Sequence, residues 1–443
     1  MQINATYRSI WNIAYPIMVG SLAQNLIGLT DIVFLGRLGE VELGAAGYMA
    51  IYYLVLVMMG FGISRGGQIL IARRAGEAKY ENIGSIFYNL LYLEGIAALC
   101  FFLFMQFVSP HLLHYFISSP NVYAASTDYL FYRSFGIFFS LLGFVLMALY
   151  TGIGRNRIIA IITAILFVVN AVLNYGLVFG KLGLPAMGIG GSGLASSLAE
   201  IISGIVGVGY LFYDKKLAPF NLNHFRKLDS FLIKTLTALS LPVMFQYLIG
   251  FGGWFLLFSF IESLGERALA ISSLLKNVYT FYSIPAWGFA SAVNALVSNL
   301  IGQGKNKMVP LAINRTTVLS VVMTIALCAT LVVFPQTVLG IFTNDTDVIA
   351  GALPILFMLL GIILAGSVST IIFNGVMGTG NMFMALGIEI AAVAIYLFYT
   401  YIVTSVMHLD LAHVWAAEFL YWVVLAIPSW IYLHSGHWRR LSV

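Results

Sequence analysis

Seven ionisable side chains stand inside long apolar runs of this sequence: Asp31, Glu94, Arg133, Glu200, Lys276, Glu389 and Glu418. Each is costly in lipid, at least ~2.5 kcal/mol at a helix centre, so each calls for a partner, water or a task. Asp31 is the sharpest. It lies in QNLIGLTDIVFLG, with Gln24 and Thr30 adding polar atoms to the same segment. Burial favours the neutral form of a carboxyl and a bound cation favours its anion, so such a group can tie a proton or Na⁺ to a conformation. A solvated Asp near a helix end is the plainer alternative.

A second polar set lies in VVNAVLNYGLVFG, where Asn170 and Asn174 are four residues apart and share a helix face. Their carbonyls are hard ligands for Na⁺, and their amides can hold a carboxyl in either protonation state. With Asp31 they make a candidate Na⁺ site. The same residues also suit plain bonding between helices. In the following GIGGSGLASS, residues are small at nearly every position from Gly188 to Ser197, which permits close backbone approach. Ser192 offers a further oxygen.

Arg133 is open to an ion pair with Asp128 or with a carboxylate elsewhere, or to a substrate role. Lys276 can bond Glu262 or a helix carbonyl, or line a cleft. Gln24, Arg133, Gln246 and Lys276 form the candidate substrate-cleft set. Glu94, Glu200, Glu389 and Glu418 are expected to face protein or to snorkel. Pro16 and Pro242 interrupt helical runs, and each removes a backbone hydrogen bond. They read as hinges or as static kinks.

The elements that position these groups follow from composition. The chain has 443 residues, 60% hydrophobic and 9% charged, with mean hydropathy +0.95. Soluble domains carry roughly 25% charge, so this is an integral membrane protein. A secreted enzyme, a nucleic-acid binder and a disordered scaffold are excluded, and lipid is the solvent. The apolar runs have helical rather than barrel length. Twelve are read, over about 10–35, 45–73, 83–108, 127–152, 157–180, 188–213, 231–260, 268–301, 309–335, 349–377, 382–406 and 412–435. No signal-peptide pattern opens the chain, so the first helix is expected to stay in the membrane. Cys100 and Cys328 read as buried packing residues, with no disulfide framework.

Lys and Arg set the orientation. With the N-terminus inside, seventeen fall on inner loops and flanks, and only Arg37, Lys181 and Arg267 on outer ones. Both termini are therefore expected to be cytoplasmic, in a bacterial-type inner membrane.

The chain aligns with itself at an offset of 226 residues. Pro16, Met18, Phe34, Gly39 and Glu40 meet Pro242, Met244, Phe260, Gly265 and Glu266. Tyr53, Gly62 and Lys79 meet Tyr279, Gly288 and Lys305, and Gly152 and Gly154 meet Gly378 and Gly380. Pro, Gly, Glu and Lys recurring at one offset are more than shared apolarity. Each half holds six spans, so the halves are parallel repeats. The expected organisation is an N-lobe over 1–213, a cytoplasmic linker over 214–230 and a C-lobe over 231–443. The expected fold is all-α, with two six-helix repeats around a central cleft.

The run DIVFLGRLGEVELGAAG, the GxG turns at 152–154 and 378–380 and the paired six-helix halves resemble the multidrug and toxic compound extrusion (MATE) transporters. The resemblance covers essentially the whole chain. It implies antiport of amphiphilic, often cationic compounds against H⁺ or Na⁺, without a cofactor, by a protein expected to be a monomer. It places the family's first-helix aspartate at Asp31 and its kink proline at Pro16. Its N-lobe cation site falls at Asn170 and Ser192, with the nearby tyrosine at Tyr129. Where some members carry a second acid this chain has Asn174. The C-lobe acids of other members would fall near Gly250 and Gly366, so the chain resembles the DinF-type branch more than the NorM type. A lipid-linked oligosaccharide flippase of the same superfamily is the alternative. A diphosphate would favour several cavity cations, and only Arg133 and Lys276 are evident. No H-E-x-x-H, G-x-S-x-G or P-loop motif supports an enzyme.

Overall fold

The computed structural model describes residues 2–117, 119–343 and 345–440. Among them there is no strand, and twelve helices are long and apolar enough to cross a membrane. They are α1 (Tyr7–Gly36), α2 (Glu40–Gly76), α3 (Tyr80–Phe116), α4 (Pro120–Gly152), α5 (Arg157–Phe179), α6 (Gly188–Tyr213), α7 (Ser230–Glu262), α8 (Glu266–Gly302), α9 (Asn306–Val333), α10 (Thr346–Gly378), α11 (Met382–Val406) and α12 (Leu411–Ser435). All twelve runs read from the sequence are present. The third is longer than read, because a π turn at Phe104–Val108 leads into a further helical stretch, Ser109–Phe116. Pro110 falls in its first turn, where a missing N–H costs nothing.

The chain forms two compact units, residues 19–244 and residues 1–18 with 245–443. The boundaries differ from those of the sequence halves, 1–213 and 231–443. They fall inside α1, two residues after Pro16, and inside α7, two residues after Pro242. Residues 214–230 belong to the first of these units and are docked rather than free. Tyr88 donates to the Leu222 carbonyl, and Tyr92 to the Arg226 carbonyl at 2.7 Å. Asp229 N–H donates to Asn89 Oδ1 at 2.8 Å, and Arg155 pairs with Asp214 at 2.6 Å.

In the unit of residues 19–244, α2 runs through the middle and residues 62–73 are all buried. It packs on α3 and α4, while α6 packs on α4 and α5. Tyr53, Met49, Leu130, Ile137 and Leu141 belong to its apolar core. In the other unit α8 takes the central place, and residues 288–300 are all buried. It packs on α9 and α10, and α12 on α10 and α11. The N-terminal segment is tied in by Ile3 N–H to Asn299 Oδ1 at 2.9 Å and by Arg315 to the Ala5 carbonyl at 2.6 Å.

The internal repeat is visible in packing as well as in sequence. A Cβ on Gly152 would lie 3.1 Å from the Gln68 carbonyl and 2.8 Å from Ile71. A Cβ on Gly378 would lie 2.7 Å from the Asn294 carbonyl and 2.9 Å from Val297. These are the same contacts moved by 226 residues. The turns that follow need left-handed backbone at Gly154 (φ 73°) and Gly380 (φ 94°), which only glycine adopts without strain.

Cys328 is buried as expected, but Cys100 is exposed on α3. An apolar run alone does not separate the protein-facing side of a membrane helix from its lipid-facing side.

Candidate cation site

Asp31 and the two asparagines, 139 or more residues apart in sequence, meet in one hydrogen-bonded chain. Asn174 Nδ2 donates to Asp31 Oδ1 at 2.7 Å and to Asn170 Oδ1 at 3.2 Å. Asn170 Nδ2 in turn donates to Ser196 Oγ at 3.0 Å. The helical spacing of the two asparagines puts them on one face of α5, opposite α1 and α6. Both are buried, as are Ser192 and Ser196. Ser196 joins this chain although the sequence reading singled out only Ser192. The signal was its position four residues further along the same face of α6.

Two oxygens here are buried without a hydrogen-bond partner among the described residues, Asn174 Oδ1 and Ser192 Oγ. Buried polar atoms are nearly always satisfied, so such orphans call for an explanation. Asp31, Asn174 and Asn170 bring together one carboxylate and two amide oxygens, hard oxygens of the kind that hold Na⁺, and Ser192 stands one turn before Ser196 on α6. The same atoms can also share a proton with Asp31. No group of three or more His, Cys, Asp or Glu that would suit a metal occurs among the described residues.

Tyr129 and Arg133 project from α4, one turn apart, and both are buried. Arg133 does not pair with Asp128. Its two terminal nitrogens grip Glu200 on α6, Nη1 to Oε2 at 2.8 Å and Nη2 to Oε1 at 2.6 Å. Its guanidinium lies 3.8 Å above the Tyr53 ring. Asp128 instead accepts the Gly190 N–H in the first turn of α6, where a carboxylate complements the free amides and the dipole. Glycines make this contact between helices: a Cβ on Gly193 would lie 2.5 Å from the Tyr129 carbonyl, and one on Gly136 would lie 2.3 Å from Glu200 Oε2.

Of the substrate-cleft set, Gln24 and Arg133 lie in the unit of residues 19–244, and Gln246 and Lys276 in the other. Gln24 is exposed, seven residues before Asp31 and on the same face of α1. Arg133 is buried and paired with Glu200. Gln246 is buried and donates to the Met382 carbonyl at 3.5 Å, so its amide is engaged within its own unit. Lys276 is half-buried, with Nζ 5.5 Å from the Phe258 ring centroid, and makes no ion pair with Glu262. Pro16 and Pro242 stand two residues before the two changeovers between compact units.

The remaining acids all face protein. Glu94 accepts Ser64 Oγ–H at 2.6 Å, and its Oε2 is buried without a partner. Glu418 on α12 accepts Trp254 Nε1–H from α7 at 2.6 Å and Tyr396 O–H from α11 at 2.9 Å. Glu389 accepts Tyr421 O–H at 2.8 Å. The offset of 226 residues carries Asn170 to Tyr396 and Ser192 to Glu418, so this network joins the same three helices of its half as the Asp31 network does. The repeat register was the signal that pairs them. Gly250 and Gly366 border the cluster, with Cβ positions 3.3 Å from Glu389 Oε1 and 3.2 Å from Trp422.

A family model described as MatE matches the chain twice, over residues 16–176 and 242–402, and so repeats the 226-residue offset. A probable multidrug resistance protein NorM of Thermotoga maritima is 23% identical over 98% of this chain and 94% of its own length. A second protein of that name, from Synechocystis, is 25% identical over 78% and 75%. Among solved structures, an outward-facing multidrug resistance MATE family transporter of the MOP superfamily superposes with TM-score 0.88 at 18% identity, covering 97% of this chain and 95% of that one. A MOP superfamily transporter from Pyrococcus furiosus, described as having a binding pocket of reversed polarity, superposes with TM-score 0.89 at 18% identity, with coverage of 97% and 95%.

Proposed function

Because the chain belongs to the MATE family of transporters, we propose that it is a secondary antiporter that exports amphiphilic, often cationic, organic compounds in exchange for H⁺ or Na⁺ by alternating access. The substrate class is carried over from the multidrug resistance proteins it resembles. Exchange is assigned to Asp31, with Asn170, Asn174 and Ser192 as its oxygen partners and Tyr129 beside them. The observation that carries this is the buried, unpartnered carbonyl oxygen of Asn174, on the side chain that bonds the Asp31 carboxyl; Ser192, whose hydroxyl is also unpartnered, stands one turn before Ser196 on α6. Pro16 and Pro242 are assigned as hinges, since both compact units begin and end beside them. The protein is placed in the inner membrane with both termini cytoplasmic, on the Lys and Arg bias, and works as a monomer.

Coupling needs the inward ion and the outward substrate to favour different conformations. A carboxyl that is charged when empty and neutralised when loaded supplies that difference. The flippase alternative is weakened by Glu200, which cancels the charge of Arg133 and leaves Lys276 as the uncompensated cation of the two.

The deciding experiment reconstitutes the protein in liposomes and follows ethidium, a fluorescent amphiphilic cation, under separately imposed pH and Na⁺ gradients. The gradient that drives transport identifies the ion. Asp31→Asn is expected to abolish the response while the protein still folds. Undiminished gradient-driven transport in that variant removes Asp31 from the mechanism.

A further inference from the structure

The geometry points to Glu200 as a positioning residue for the Asp31 site: it holds Arg133 in a closed pair and so keeps Asp31 free of a built-in counter-ion. This rests on the reading that Asp31 is the exchanging group.

Three observations carry it. First, Arg133 and Glu200 close a two-point pair with side chains only 10% and 13% exposed, and Glu200 stands one turn of α6 beyond Ser196, the end of the hydrogen-bonded chain from Asp31. Among the described residues Asp31 itself makes no ion pair and has only the amide of Asn174. Second, the pair is built in. Tyr53 lies beneath the guanidinium, and its hydroxyl is held at 3.2 Å from Ser140 Oγ. Gly136 leaves the space in which Glu200 and Arg133 meet, since a Cβ there would lie 2.5 Å from Arg133 Nη1. Third, the charges occur as a set. At the 226-residue offset, Asp31, Arg133 and Glu200 all become apolar, as Leu257, Leu359 and Ala426. One half of the molecule has the acid, the base and the second acid; the other half has none of the three at those places.

The physical consequence is simple. A lone guanidinium beside Asp31 would act as a permanent cation and make an incoming one redundant. Paired with Glu200, the same arginine contributes almost no net charge, and Asp31 needs H⁺ or Na⁺ from solution. The titratable and charged groups around Asp31 are Tyr129 and Arg133 from α4, Glu200 from α6 and, behind Arg133, Tyr53 from α2. From α5 only the neutral Asn170 and Asn174 take part.

The test reads Asp31 directly and needs no transported substrate. Dicyclohexylcarbodiimide adds to protonated carboxyl groups in apolar surroundings and leaves carboxylates alone. The full chain in phosphatidylcholine liposomes is treated with it across a pH series, and modified residues are located by peptide mass spectrometry. In the wild type, Asp31 is expected to react increasingly as pH falls while Glu200 stays unmodified. In Glu200→Gln the half-reaction pH of Asp31 should drop by about one unit or more, since a bare cation favours the carboxylate. In Arg133→Gln it should rise, because Glu200 is then an uncompensated anion. The double variant should return to the wild-type value. A pair with a merely structural role would lower the yield of folded protein and leave the half-reaction pH unmoved. An unshifted Asp31 in a folded single variant overturns the proposal. So does Glu200 reacting as readily as Asp31 in the wild type, a result that needs no variant to fold. Asp31→Asn with intact coupling would instead overturn the functional reading, whatever the labelling shows.

Discussion

Asn174 donates one amide nitrogen both to Asp31, at 2.7 Å, and to Asn170, at 3.2 Å, while its own carbonyl oxygen is buried without a partner. One side chain therefore links the carboxyl through Asn170 to Ser196. It also leaves a buried acceptor without a partner on the side chain that holds Asp31.

That relationship predicts two opposite outcomes at Asn174. Asn174→Leu removes the donor and leaves Asp31 and Asn170 under-satisfied, a loss of about 1–3 kcal/mol in stability, and gradient-driven efflux should cease. Asn174→Asp puts a second carboxyl beside Asp31. Like charges at this distance favour uptake of a proton. The half-maximal pH of ethidium efflux in liposomes should then move upward with coupling retained. A pH profile identical to wild type in Asn174→Asp would show that the two side chains do not share a charge.

Gly136→Ala should be costly for a residue so small. Its Cβ would overlap Glu200 Oε2 and Arg133 Nη1, and the adjacent N–H is already held by Ser197 Oγ at 3.1 Å. A loss of about 1–3 kcal/mol is expected, read as a lower midpoint of thermal aggregation in detergent. Gly209→Ala, where nothing lies within 4 Å of the added carbon, is the control and should be silent.

Pro242→Ala restores a backbone donor inside α7 and cannot weaken the helix. The variant should be at least as stable as wild type by thermal aggregation, yet export ethidium several-fold more slowly if the bend is part of the cycle. Equal rates would make the proline a static kink. Pro16→Ala should behave in the same way, because it stands at the matching changeover in α1.

Glu77, in the turn after α2, gives the pH prediction outside the membrane. Partial burial pushes its carboxyl up, but hydrogen bonds from Lys79 (3.0 Å) and Arg74 (2.8 Å), together with their charges, outweigh that and hold it below the usual carboxylate range. A depressed carboxyl contributes stability that is fully present above its unfolded value and is lost as pH falls through its folded one. Arg74 and Glu77 are partly and Lys79 largely open to solvent, which screens these charges, so Glu77→Gln should cost only about 0.5 kcal/mol at neutral pH. That difference should vanish in acid, below the usual carboxylate range. A difference that persists there would point to packing rather than charge.

Much was legible in the chain itself. Composition and run length determined a helical membrane protein and all twelve spans, because lipid leaves the backbone no other way to satisfy its hydrogen bonds over those lengths. The 226-residue offset determined the doubled architecture, down to the glycines that pack against Gln68 and Asn294. Asp31, Asn170 and Asn174 could be grouped because their oxygens suit one cation and because the resemblance to the MATE transporters implies a site at Asp31 and Asn170. Only the tertiary structure decided who partners whom. Arg133 chose Glu200 over the nearer Asp128, Gln246 turned inward to Met382, and Glu418 found Trp254 and Tyr396. The physical reason is that sequence spacing tells which residues share a face of one helix, whereas the rotation and depth of each helix against its neighbours follow from packing. In an apolar helix the protein-facing and lipid-facing sides are written in the same residues.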